Sequence, residues 1–129
     1  MIAVDTSVLM AVLLNEPEAR EISICMSEND LIMSAGTYAE LMIVSAGRNI
    51  YQQAKALVKQ VGITIETVDG QTGDAIHDAY MKWGKGRNPA ALNFGDCFAY
   101  VLAKQKDIPL LFIGNDFSRT DIKSAIKRI

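Results

Sequence analysis

The chain of 129 residues carries one histidine, two cysteines and three prolines. A single histidine, His77, removes histidine-rich zinc sites and the serine or cysteine triads that need an imidazole base. Cys25 and Cys97 stand in no CxxC or CxxH spacing, so no disulfide framework or structural zinc is expected, and a reduced, intracellular protein is the economical reading. The longest stretch without charge, Thr6–Asn15, falls far short of the roughly 18–20 residues that span a bilayer, and no basic segment precedes it. We therefore expect a soluble, cytoplasmic protein with no membrane partner. What is present excludes disorder: half the residues are hydrophobic, 22% are charged and the net charge is -2. A chain of this length is expected to form a single domain over 1–129, burying roughly two-thirds of its unfolded surface.

The small net charge hides an asymmetry. Residues 1–81 hold four basic side chains against eleven acidic, whereas residues 82–129 hold nine basic against four acidic. A basic C-terminal portion on an acidic protein suits a local polyanion-facing surface. Within it, Lys82-Trp83-Gly84-Lys85-Gly86-Arg87 sets the only tryptophan among three cations and two glycines. That composition suits phosphate contact with base stacking at Trp83, Lys85 and Arg87, although it equally describes a helix end with Trp83 in the core and a solvated basic loop.

Along the chain, strands alternate with helices. Met1–Val4 is an apolar run too short for a helix, and Asp5-Thr6-Ser7 supplies N-cap chemistry for a helix from Val8 to Leu14. Pro17 suits the first turn of a second helix running to about Glu28. A strand over Leu31–Met33, helices over Ala35–Ala46 and Tyr51–Val61, and a strand over Ile63–Val68 follow. Gly70–Trp83 is expected to be helical, Gly84–Leu92 a loop, Asn93 to about Lys106 a helix and Pro109–Ile113 a strand; Gly114–Thr120 turns toward a last short helix from Asp121. With no hairpin signal, this pattern argues an α/β fold of three layers, α/β/α, around a central, mainly parallel sheet.

In such a sheet, ligands collect beyond the carboxyl ends of the strands. Asp5 ends one strand and Asp116 follows another, although either acid could serve only as a cap or turn residue. Glu40 has Ile43 and Val44 at helical spacing, so it is expected to point along an apolar stripe and be at least partly buried. Asp96 opens an apolar helix, where Asn93-x-x-Asp96 also reads as a capping box. A buried carboxylate costs several kcal/mol unless it is paired, and no lysine or arginine stands at helical spacing from Glu40. If the four acids meet at one sheet edge, a divalent cation is the natural neutraliser, and oxygen-only ligands select Mg²⁺ or Mn²⁺. Such an ion supports phosphodiester hydrolysis without histidine or a nucleophilic side chain, with Thr6 or Ser7 adding a hydroxyl. Leu9, Leu13, Leu14 and the Ile22/Met26 face supply apolar surface for either the core or a partner groove.

These residues resemble the PIN-domain ribonucleases, and more narrowly the VapC-like toxins of bacterial toxin–antitoxin pairs. The resemblance begins with Met-Ile-Ala-Val-Asp5-Thr-Ser and continues through Asn15-Glu-Pro-Glu and the segment bearing Glu40. It is carried most specifically by Gly84-Lys-Gly-Arg-Asn-Pro-Ala-Ala-Leu-Asn-Phe-Gly-Asp96-Cys-Phe-Ala-Tyr and by Leu110-Leu-Phe-Ile-Gly-Asn-Asp116-Phe-Ser-Arg119-Thr-Asp121. It implies that Asp5, Glu40, Asp96 and Asp116 surround Mg²⁺ or Mn²⁺ with Thr6 or Ser7 assisting, and that the fold is PIN-like; Arg119 is a further candidate for RNA contact beside Trp83, Lys85 and Arg87. It further implies a structured RNA substrate such as tRNA, a homodimer, and a cognate VapB-like antitoxin that occupies the site. Asn88 and Asn115 depart from the pattern, since many relatives carry histidine and an acid there. The competing reading is a catalytically silent PIN-like module that binds RNA or protein. A phosphoacceptor receiver is disfavoured because Asp5 stands alone after the first strand, and a haloacid-dehalogenase-like phosphatase because Asp5-Thr6-Ser7 lacks the second aspartate.

Overall fold

The computed structural model describes residues 1–126. Its elements are β1 (Ile2–Val4), α1 (Thr6–Leu13), α2 (Ala19–Ser27), β2 (Leu31–Ser34), α3 (Ala35–Gly47), α4 (Tyr51–Gln60), β3 (Thr64–Glu66), α5 (Gly70–Trp83), α6 (Phe94–Lys106) and β4 (Leu110–Leu111). The sheet is parallel throughout, in the order β3-β2-β1-β4, with Ala3 beside both Ile32 and Leu110.

Period-two alternation sends the side chains of β1, β2 and β4 to two different cores. Ile2, Val4, Leu31, Met33 and Leu111 pack with Val8, Leu9, Ile22, Met26, Leu41 and Val58 of the first four helices. Ala3, Ile32 and Leu110 face the other way, onto Ile76 and Ala79 of α5 and Cys97, Tyr100 and Val101 of α6. Both faces are therefore covered, which gives the expected three layers. The chain runs from β1 to β2 and β3 on one side, then returns through α5 and α6 to β4 on the other, so the strand order reverses at β1. Such a reversal leaves a crevice at the carboxyl ends of the strands. Leu9, Ile22 and Met26 are buried in the first core, while Leu13 and Leu14 are half-buried against it.

Two expectations about elements are corrected. Pro17 lies in a turn two residues before α2, whose first helical residue is Ala19. The segment after Asp121 forms no helix over the described residues. Leu110 N instead donates to Lys123 O at 2.8 Å and Ala125 N to Leu110 O at 2.9 Å, a parallel bridge of Ser124 on the edge of β4. The free edge of β4 needs backbone partners, and that demand overrides the helical composition of the tail. The remainder of the expected helix, 127–129, lies outside the described residues. Among the described residues no helix is long and apolar enough to cross a membrane.

Candidate functional site

Asp5 follows β1 directly and caps α1. Its Oδ2 accepts from Ser7 N at 3.2 Å and from Ser7 Oγ at 2.6 Å, satisfying donors left free at the start of the helix. Ser7 Oγ also accepts from Ile113 N at 3.3 Å, which ties the β1–α1 junction to the segment leaving β4. Asp96 stands in the first turn of α6 within a complete capping box: Asn93 Oδ1 accepts from Asp96 N at 2.8 Å, and Asp96 Oδ2 from Asn93 N at 3.0 Å. Capping thus accounts for part of what both acids do, but not for their burial. Asp5 is 6% exposed and Asp96 7%.

Glu40 lies on α3, where the core-facing residues are Thr37, Leu41 and Ser45. The expected buried stripe is not formed: Ile43 is 74% exposed and Val44 41%. The row of three core-facing residues, spaced four apart, meets the core, and Glu40 flanks it instead of joining it. Its carboxylate is half-buried through another contact, because Thr6 Oγ1 donates to Glu40 Oε1 at 2.8 Å and also reaches Thr37 O at 3.3 Å. Asp116 is exposed on the turn beyond β4. That turn is anchored by the fully buried Phe117, which packs on Phe112, and by Ser118 Oγ donating to Asn115 O at 2.8 Å.

The electrostatics link the four acids. Burial pushes the Asp5 carboxyl up to about 6; its bonds to Ser7 oppose the rise and the charge of Glu40 adds to it. Burial pushes Asp96 up to about 7, opposed by its bond to the Asn93 backbone and reinforced by the charges of Asp5, Asp116 and Glu40. Among the described residues, salt bridges join His77 to Asp78, Lys104 to Asp121 and Lys106 to Glu66, and none reaches the four acids. The donors are oxygens alone, a set that suits a hard dication. Among the described residues no three histidine, cysteine or acidic side chains close on one point, and the four carboxylates are linked only through the mutual influence of their charges. A depression of about 640 Å³ between α4 and β3, lined by Tyr38, Lys55, Lys59 and Ile65, contains none of the four.

The basic candidates lie on the chain leading into Asp96. Lys85 and Arg87 are exposed on a loop closed by Lys85 N donating to Leu92 O at 2.9 Å and Leu92 N to Trp83 O at 3.0 Å. Arg119 Nη1 donates to Pro89 O at 3.3 Å, joining this loop to the turn that bears Asp116. Trp83 is half-buried, and its indole N–H donates to Tyr100 Oη at 2.9 Å while Lys82 lies over its ring. The latch from Arg119 to Pro89 and the tie from Ser7 to Ile113 carry no local signal, because each joins segments distant in the chain.

The PIN-domain family model matches residues 2–123. Ribonuclease VapC of Mycolicibacterium smegmatis is 37% identical over 123 residues, covering 92% of this chain and 95% of that protein. Ribonuclease VapC30 of Mycobacterium tuberculosis is also 37% identical over 123 residues, covering 92% and 94%. The crystal structure of M. tuberculosis VapC20, described as a sarcin-ricin loop cleaving toxin, superposes with a TM-score of 0.75 over 95% of this chain and 96% of that one, at 15% identity. A toxin–antitoxin complex from Klebsiella pneumoniae gives 0.70 over 94% and 93%, at 14% identity. The two structures establish the likeness of fold.

Proposed function

The chain belongs to the PIN-domain family and, within it, to the VapC ribonucleases, and from that premise we propose that it is the toxin of a toxin–antitoxin pair, a Mg²⁺- or Mn²⁺-dependent endoribonuclease acting on structured RNA such as tRNA. The observation that carries the reading is the pair Asp5 and Asp96. Both are buried, both are pushed upward by burial and neighbouring carboxylates, and neither has a cationic side chain as partner among the described residues. Asp5, Glu40, Asp96 and Asp116 would hold the ion, which when bound would acidify and orient a water and stabilise charge at the phosphodiester. Ser7 orients Asp5, Thr6 orients Glu40, and the capping box fixes Asp96. Lys85, Arg87 and Arg119 would take RNA phosphates beside the acids.

Partners follow the same premise. A groove of about 430 Å³, lined by Val12, Met26, Leu57 and Val61 and by Ser23, Ser27, Asn29 and Gln60, would suit an amphipathic segment of a cognate VapB-like antitoxin. Exposed Ile43, Val44 and Phe94 support a homodimer that covers them; Phe94 is 67% exposed. We place its action in the cytoplasm. Incubating purified protein with total RNA, with Mg²⁺ or with EDTA, and mapping new 5′ ends tests the proposal. Discrete cuts that need the metal and vanish with Asp96→Asn are expected; identical patterns with EDTA would overturn it.

A further inference from the structure

The contact between α3 and α6 beside the acids depends on a residue with no side chain. Gly95 is the second residue of α6, directly before Asp96. It does not belong to the glycines with positive φ, so its backbone is one that any residue adopts. A glycine there weakens the helix relative to alanine and needs another reason. A Cβ built on Gly95 would fall inside contact distance of Glu40 Oε2, 2.8 Å from Glu40 Cδ and 3.1 Å from Oε1. No other group figures among its three nearest atoms. The opposite side of the same carboxylate is held by Thr6 Oγ1, 2.8 Å from Oε1. Glu40 therefore sits in a slot, with a hydroxyl on one side and the absent side chain of Gly95 on the other.

We infer that Gly95 is a positioning residue: its missing side chain admits the Glu40 carboxylate to the acidic cluster at the start of α6. The inference rests on the reading that Glu40 serves the metal site. Carboxylate oxygens at the end of a flexible side chain yield more easily than backbone does. A methyl group at position 95 should thus displace Glu40 while leaving the helix intact, and better formed by propensity. Function and stability are expected to separate, which a purely structural glycine would not allow.

The test is a double-mutant cycle on the full chain, read by Mn²⁺ titration and by the thermal midpoint of the metal-free protein. Gly95→Ala is expected to keep or raise the midpoint and to weaken Mn²⁺ binding by about tenfold, the lower end of what disturbed ligand support produces. In the Glu40→Ala background the same change meets no carboxylate and should leave Mn²⁺ binding unaltered. Undiminished Mn²⁺ affinity in Gly95→Ala, beside weakened affinity in Glu40→Gln, would overturn the inference and leave the metal reading standing. Undiminished affinity in Glu40→Gln would remove the metal role of Glu40 itself. If Gly95→Ala fails to fold alone but folds with Glu40→Ala, the clash is confirmed; failure in both backgrounds assigns Gly95 a structural role and contradicts the inference.

Discussion

Helix α6 carries Asp96, Tyr100 and Lys104 one turn apart on a single face, and its two ends treat a carboxylate in opposite ways. At the far end, Asp121 accepts from Tyr100 Oη at 2.7 Å and lies 3.0 Å from Lys104 Nζ. The Tyr100 hydroxyl, with Lys104 behind it, holds that carboxyl below its usual range. At the near end, Asp96 is buried beside three other acids and is pushed up to about 7. An acid supplied with donors and a cation belongs to the scaffold; an acid buried without a cation stores repulsion that a bound dication relieves.

The sharpest way to break this contrast is to replace each carboxylate with its amide. Asp96→Asn keeps an oxygen for the capping box, yet RNA cleavage should fall by about 10²–10³-fold or more. Asp121→Asn should leave cleavage within about twofold, because that side chain serves structure alone. Comparable rates in the two variants, measured on one RNA at saturating Mg²⁺, would abolish the distinction between the ends.

Proton linkage gives the next largest effect, and its sign differs between the ends. A raised carboxyl pKa means that the folded state holds its proton longer than the unfolded one, so the stability tied to that proton is lost as pH rises. For Asp5, moving from 3.8 to about 6 is worth about 3 kcal/mol, shed between about pH 4 and 7. Asp96 sheds stability in the same direction up to about pH 8. Asp121 behaves oppositely: its contribution is present above the ordinary carboxylate pKa and disappears as pH falls through the lowered value. Urea unfolding of the metal-free protein should show Asp96→Asn flattening the loss toward alkaline pH and Asp121→Asn leaving it in place.

Smaller effects sharpen the roles of the basic segment. Replacing Lys85 and Arg87 together by alanine should lower the slope of log affinity for RNA against log salt by about 1.4–1.8, two phosphate contacts' worth. Trp83→Phe removes the donor to Tyr100 and should cost about 1 kcal/mol of stability. Its salt slope should stay unchanged, since neither side chain carries a charge that neutralises phosphate.

Much of this was legible in the chain because local chemistry wrote it. Asp5 and Asp96 stand where a strand or loop passes into a helix, and their capping signals survive folding as they stand. The spacing of Ile43 and Val44 points to a buried Glu40 for a reason the structure does not bear out: both residues face outward, and Thr6 holds the carboxylate. Hydrophobic spacing identifies a stripe without saying which stripe meets the core. Local composition predicts a helix from Asp121, but the described part of that segment answers the open edge of β4, a need set by residues elsewhere in the chain. The slot at Gly95 was invisible for the same reason, since its occupant comes from α3.

The most direct measurement is the thermal midpoint of the parent and of Asp96→Asn at pH 8 as Mn²⁺ is titrated. The metal-free parent should melt below the variant, and Mn²⁺ should raise the parent's midpoint well above it while moving the variant little. A parent that melts no lower than Asp96→Asn without metal, and that gains no more from Mn²⁺, would contradict the claim that buried like charges at this end of α6 await a dication.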